Sequence, residues 1–256
     1  MEFKNLVELL RFIRIKICIF SVFISLIGYL MFNAISHELI FIIITSFFLS
    51  AGAYAYNNIT DKKEDIINKR SYLFIDNGLY IVSICFLLAF IFSLFLPIVS
   101  ILFSVSIIIT SIIYSFFNIK KYFLVKNFYS GMGTPQLFLL GAASLTFTVI
   151  LYYLLISLFF FVGSLIADLR DYKGDKITGI KTLPVYIGCE RTKNIVYLSL
   201  SLFLVLVLQS NLFPISIFIT LMIISIFKRR IETAHFLGGI SLIFLVGWLS
   251  INKLLI

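Results

Sequence analysis

Charge, cysteine and histidine are all scarce in this sequence, and each scarcity removes a class of protein. Only 13% of the 256 residues are charged, against 61% hydrophobic. A soluble domain of this length would bury a large core and still need a polar surface. Too few polar residues are present to make one. Three cysteines, Cys18, Cys85 and Cys189, have neither the even number of a disulfide framework nor the spacing of a metal site. The two histidines, His37 and His235, stand alone and read as interfacial residues rather than ligands. The small-residue cleavage site of a signal peptide is also missing, and charges continue to Lys16, so the N-terminus is not expected to be a cleaved leader.

What the sequence does have is long apolar runs, such as "IFIIITSFFLS" and "SILFSVSIIITSIIYSFF". About 20 helical residues cross a ~30 Å hydrocarbon layer, and only helices or closed barrels satisfy their backbone there. Barrel strands alternate apolar and polar with period two. These runs are continuous, so helices are expected. About nine spans can be placed, at 13–34, 38–58, 77–96, 98–117, 127–144, 145–167, 194–209, 212–228 and 234–252. "GMGTPQ" puts Gly131, Gly133 and Pro135 inside the fifth, where a break or kink is expected.

Lysine and arginine give the orientation. With this count, 20 of the 21 Lys and Arg fall on one side, together with the N-terminus and the loops at 59–76, 118–126, 168–193 and 229–233. Only Lys253 falls on the other. The basic side is expected to face the cytoplasm, as in a multi-pass protein of the plasma membrane. The net charge of +9 then reflects topology and an anionic lipid surface, and no nucleic-acid partner is needed. No repeat and no Gly-, Ser- or Pro-rich linker divides the chain, so residues 1–256 are expected to form a single membrane domain.

Half of the twelve acidic residues sit in two short stretches. In "NNITDKKED", Asn57, Asp61 and Asp65 recur every fourth residue, and a helix carried past the lipid boundary would show them on one face. In "ADLRDYKGD", Asp168, Asp171 and Asp175 again share a face. Either stripe alone could be a solvated helix end, with Lys62, Lys63, Arg170 and Lys173 neutralising it. Two stripes with matched spacing on the same membrane side point further. Converging carboxylates repel unless a cation intervenes. Oxygen donors without His or Cys suit a hard ion such as Mg²⁺, which is commonly held by a few carboxylates plus substrate phosphates. A Mg-bound diphosphate at a membrane surface is the ligand this chemistry implies.

With Asn57-Asn58-x-x-Asp61-x-x-x-Asp65 after the second span and Asp168-x-x-Asp171-x-x-x-Asp175 after the sixth, the chain resembles the UbiA superfamily of intramembrane prenyltransferases. "GDKITGIKTLPVYIG" resembles that family's stretch after its second motif. Asn58 stands where the family usually has Asp, and the Arg-Pro pair that commonly follows the first motif is absent. Ile17 occupies a first-helix position where archaeal lipid-synthesising members often carry Asn.

The resemblance implies an all-α polytopic membrane helix bundle, with about nine transmembrane helices around a central cavity. It implies transfer of an isoprenyl group from an allylic polyprenyl diphosphate to a lipophilic acceptor. That acceptor would be an aromatic quinone precursor, or a prenylated glycerol phosphate as in archaeal ether-lipid synthesis. Two Mg²⁺ ions would bridge the diphosphate and Asn57, Asp61, Asp65, Asp168, Asp171 and Asp175, with Asp61, Asp65, Asp171 and Asp175 at the centre of catalysis. Lys120 or Lys121 is the first candidate for the diphosphate clamp, because family members often carry Tyr, Lys and Asn in this loop, and Tyr114 and Asn127 stand at corresponding places. Arg14 and Lys16 come next, and Asn58 and Arg70 are weaker candidates. Taken singly, each of these cations also reads as a topological anchor. Two other functions keep their place: a cyclase using the same metal site, and a transporter or binding protein. Transporters usually put polar groups near the bilayer midplane, whereas these acids lie at helix ends.

Overall fold

The structure is a computed structural model, and it describes residues 2–60, 77–117, 119, 122–210 and 212–254. All regular structure among the described residues is helical, and no strand occurs there. In chain order the helices are α1 (Glu2–Phe12), α2 (Ile15–Phe32), α3 (Glu38–Thr60), α4 (Gly78–Ser93), α5 (Ile98–Phe116), α6 (Val125–Gly133) and α7 (Gln136–Ala142). They are followed by α8 (Phe147–Thr178), α9 (Leu183–Ile187), α10 (Cys189–Leu208), α11 (Ser216–Phe227) and α12 (Ile231–Leu254). Among the described residues, six segments are long and apolar enough to cross a membrane: Ile15–Phe32, Glu38–Thr60, Ile98–Phe116, Phe147–Ile177, Cys189–Leu208 and Ile231–Lys253. Large apolar side chains stand fully outside, among them Phe147, Leu198 and Phe227. Lipid is the solvent in which such an exterior costs nothing.

The chain divides into two compact units. The first comprises residues 1–119 and 136–145, and the second comprises 120–135 and 146–256. In the first unit, Phe12 of α1, Cys18 of α2, Ala51 and Ala55 of α3, and Val82 and Phe86 of α4 share one buried cluster. Small residues let the helices come close, as expected where van der Waals packing replaces the hydrophobic drive. A Cβ added at Gly28 of α2 would lie 2.1 Å from the Phe138 carbonyl oxygen of α7. One added at Gly141 of α7 would lie 1.9 Å from the Ser25 carbonyl oxygen of α2. Several polar groups buried at this level are hydrogen-bonded. Ser25 Oγ donates to Ser46 Oγ of α3 at 2.9 Å, and Ser100 Oγ of α5 donates to the Leu140 carbonyl at 2.7 Å. Asn33 Nδ2 closes the end of α7 by donating to the carbonyls of Gly141 and Ala142, each at 3.2 Å.

The second unit is organised on α8. Its 32 residues would run about 48 Å, well beyond a ~30 Å hydrocarbon layer. Thr146 begins it, with its hydroxyl accepting from the Val149 amide at 3.4 Å. Gly179, at φ +74°, ends it in the left-handed conformation, where the Cβ of another residue would be strained. No charged residue occurs in α8 before Asp168, so the acidic motif is the part left over once the apolar length is used. Pro135 follows the end of α6, and α7 starts at Gln136. The interruption expected around Gly131 to Pro135 therefore appears as two short helices. A second interruption, at Ile13 and Arg14, separates α1 from α2 and was not expected. There Arg14 is left-handed at φ 54° and ψ 54°.

Candidate functional site

In the first unit, Asn57 and Asn58 occupy the last turn of α3. Adjacent residues on a helix point about 100° apart, so the two amides take different partners. Asn57 Oδ1 accepts a hydrogen bond from Ser115 Oγ of α5. Asn58 is buried at 2% exposure and turns the other way. Its Nδ2 donates to the Phe12 carbonyl at 3.1 Å, and its Oδ1 accepts from Arg14 Nη2 at 3.3 Å. Arg14 is half-buried and Lys16 exposed. Tyr114 is half-buried on α5, next to Ser115. Asp61, Asp65, Arg70, Lys120 and Lys121 lie outside the described residues.

In the second unit, Asp168 is completely buried, at 0% exposure. Its Oδ1 lies 2.6 Å from Lys126 Nζ, and its Oδ2 accepts from Asn127 Nδ2 at 2.8 Å. Asn127, itself buried, also donates to Ser164 Oγ at 2.8 Å. Asp168 and Ser164 are one turn apart on α8, so a single amide at the start of α6 bridges them. Both oxygens of Asp168 are thereby engaged inside this unit. Asp171 faces Arg170, whose Nε and Nη2 donate to its two oxygens at 2.9 and 3.0 Å. Such a fork-to-fork pair is geometrically specific, yet here it is exposed and between neighbours in sequence. Asp175 is buried in the last turn of α8, where its backbone carbonyl accepts from the Ile180 amide at 3.0 Å.

Asp168, Asp171 and Asp175 are three and four residues apart on one continuous helix, so the structure does bring the second stripe onto one face. Lys126 and Ser115 were missed by reading the sequence. Lys126 sits beside Asn127 in "LVKNF", and that adjacency to a named candidate was the one available signal. Ser115 carried none, since one serine among many in an apolar helix says nothing of its partner.

Among the described residues, no group of three or more His, Cys, Asp or Glu is placed to hold a metal ion. Each unit taken by itself offers oxygen donors in its motif, Asn57 in the first and Asp171 and Asp175 in the second, and those of Asn57 and Asp171 already accept hydrogen bonds from Ser115 and Arg170. Neutral and anionic oxygens without nitrogen or sulfur fit a hard divalent cation such as Mg²⁺.

A family model described as the UbiA prenyltransferase family matches residues 18–235. No curated protein sequence matches the chain. Several solved structures share the fold. A structure of digeranylgeranylglyceryl phosphate synthase in membranes is 23% identical, with a TM-score of 0.70 over 98% of this chain and 98% of that one. A UbiA homolog from Archaeoglobus fulgidus bound to GPP and Mg²⁺ is 14% identical, with a TM-score of 0.72 over 95% of this chain and 98% of that one. The apo UbiA homolog from Aeropyrum pernix K1 is 16% identical, with a TM-score of 0.76 over 93% and 98%.

Proposed function

The chain belongs to the UbiA prenyltransferase family, and on that footing we propose that it transfers an isoprenyl group from an allylic polyprenyl diphosphate to a lipophilic acceptor within the membrane. The observation that carries this reading is the placement of Asp171 and Asp175 one turn apart where α8 has used up its apolar length. A neighbour in fold, 14% identical, is a UbiA homolog bound to GPP and Mg²⁺, which supports the reading. The acceptor is an aromatic quinone precursor or a prenylated glycerol phosphate.

The donors proposed for Mg²⁺ are Asn57, Asp61 and Asp65 of the first motif and Asp171 and Asp175 of the second. Asp168, the sixth residue expected in that set, has both oxygens engaged by Lys126 and Asn127. When bound, two Mg²⁺ ions supply Lewis acidity and neutralise the diphosphate as it leaves. This chain's residues do the rest. Ser115 fixes the Asn57 amide, and cationic side chains, Arg14, Lys16 and Lys120 or Lys121, bind the leaving diphosphate. The apolar helices keep water from an allylic cation.

Nine crossings are proposed. The six long apolar segments are joined by α4, by the broken pair α6 and α7, and by the short apolar helix Phe213–Phe227. The chain passes between its two units at 119/120, 135/136 and 145/146. That supports reading 1–256 as one working domain, and the concentration of Lys and Arg on one side supports a multi-pass protein of the plasma membrane with the N-terminus and acidic motifs on the cytoplasmic side.

The test is direct. The purified chain in bilayer discs is given allylic diphosphates of several lengths with Mg²⁺, with and without each acceptor class, while diphosphate release is followed. Mg-dependent release that rises with an acceptor is expected, and Asp61→Ala and Asp171→Ala each abolish it in folded protein. Release without any acceptor identifies a cyclase instead. No Mg-dependent release with any donor sinks the enzymatic reading.

A further inference from the structure

We propose that Lys126 is a diphosphate-binding residue of this chain, and that Asp168 is the positioning residue that holds it rather than a metal ligand. The proposal rests on the prenyltransferase reading above and deepens it. Three observations carry it.

The first is the state of Asp168. A carboxylate at 0% exposure whose Oδ1 meets an ammonium at 2.6 Å and whose Oδ2 meets an amide at 2.8 Å is closed to an incoming cation, whereas Asp171, paired on both oxygens with an exposed arginine, can exchange that partner for one. A Mg²⁺ ion demands close, near-octahedral oxygen contacts. To ligate one, Asp168 would have to release Lys126 or Asn127, and the abandoned group would remain beside it.

The second is the state of Lys126. An ammonium has three N–H donors. One is directed at Asp168, and the side chain keeps 26% of its surface open. Asp168 lies one turn from Asp171 and two turns from Asp175 on the same face of α8. Lys126 is therefore a partly open cation fixed at the inner end of the acidic stripe, on the residue one turn before the first of the two carboxylates proposed to hold the metal. A cation beside a metal-bound diphosphate is what neutralises the charge that appears as the C–O bond breaks.

The third is the backbone. Leu124, which precedes α6, is left-handed at φ 60° and ψ −23°. For a branched residue this conformation costs of order 1–3 kcal/mol and persists only where the surroundings over-determine it. The turn sets the start of α6 so that two consecutive residues, Lys126 and Asn127, reach the two oxygens of one carboxylate. Helix packing alone needs no such arrangement. Apolar residues of similar size would join α6 to α8 at lower desolvation cost.

The experiment uses the full chain in bilayer discs. Binding of inorganic pyrophosphate with Mg²⁺ is followed by calorimetry, and binding of Mn²⁺ alone by paramagnetic resonance. The variants are Lys126→Met, Lys126→Arg, Asp168→Asn and the double variant Lys126→Met/Asp168→Asn. The double variant leaves no buried charge unpaired, so it decides the matter if Lys126→Met fails to fold. Loss of one charged hydrogen bond predicts pyrophosphate binding weaker by about 10- to 100-fold in Lys126→Met and in the double variant. Lys126→Arg should recover most of it. Asp168→Asn should bind Mn²⁺ alone as the parent does. Parental pyrophosphate affinity in the double variant would overturn the role of Lys126, and loss of Mn²⁺ binding in Asp168→Asn would overturn that of Asp168. A parent chain that binds no pyrophosphate with Mg²⁺ brings down the prenyltransferase reading itself, and this proposal with it.

Discussion

Asn58 reaches back across 44 residues of sequence to accept a hydrogen bond from Arg14, at 3.3 Å, while its other end donates to the carbonyl of Phe12 at 3.1 Å. The interruption between α1 and α2 is thereby pinned to the end of α3. Arg14 holds a left-handed backbone there, at φ 54°, and Asn58 supplies both a donor and an acceptor to the strained turn. An amide of this size does both at once, which gives a physical reason for Asn at this position.

Asn58→Asp is therefore expected to destabilise the chain. The carboxylate gains charge with Arg14, but that side chain is half-exposed, and such pairs contribute up to about 1 kcal/mol. The lost donor leaves the Phe12 carbonyl facing a carboxylate, which costs about 1–3 kcal/mol. The second effect should win, so thermal unfolding in micelles should come at lower temperature. An Asn58→Asp chain as stable as the parent would show that the amide is not what holds the turn.

The close approach of α2 and α7 makes a sharper prediction. Gly28→Ala and Gly141→Ala would each drive a methyl group into a backbone carbonyl, at 2.1 and 1.9 Å. Backbone atoms cannot swing aside as a side chain can, so each substitution should cost about 1–3 kcal/mol or more. Gly163→Ala, on α8, is the control, because nothing lies within 4 Å of the added carbon. It should be neutral or stabilising by up to about 1 kcal/mol, through helix propensity. Equal melting temperatures for all three variants would refute the packing argument.

Ser115→Ala should weaken the metal site without removing a ligand. Ser115 Oγ donates to the Asn57 oxygen that is proposed to face Mg²⁺. Groups that orient ligands in this way typically change metal affinity by about 10- to 100-fold. Titration with Mn²⁺ should show the loss, while helical content stays the same. An unchanged Mn²⁺ affinity would mean that Asn57 does not act through that oxygen.

Much of this architecture was legible in the sequence for one physical reason: a membrane span needs an unbroken apolar length, and length can be counted. The acidic stripe on α8 was legible because helical spacing fixes its face. The division between α6 and α7 was announced by Gly131, Gly133 and Pro135. The interruption at Ile13 and Arg14 carried no such mark. It is held by a tertiary contact, to an asparagine more than forty residues downstream. Selection of Lys126 as the partner of Asp168 was equally hidden, since a cation at a span end fits the positive-inside pattern whether or not it meets an acid. Local periodicity reports which side chains share a face, and says nothing of which face meets which helix.

The orientation can be tested with the native cysteines. Cys18 and Cys85 are buried, at 0% and 7% exposure, whereas Cys189 is partly open at the start of α10. Glu190, Arg191 and Lys193 follow it, on the side that carries nearly all of the basic charge. A membrane-impermeant maleimide should therefore label one thiol in inside-out vesicles and none in right-side-out ones. Denaturation should expose all three. Cys189→Ser should abolish the native signal without altering the denatured count beyond one. Labelling of Cys189 only from the outer face would invert the topology and put both acidic motifs outside the cell, where a cytoplasmic pool of prenyl diphosphates could not reach them.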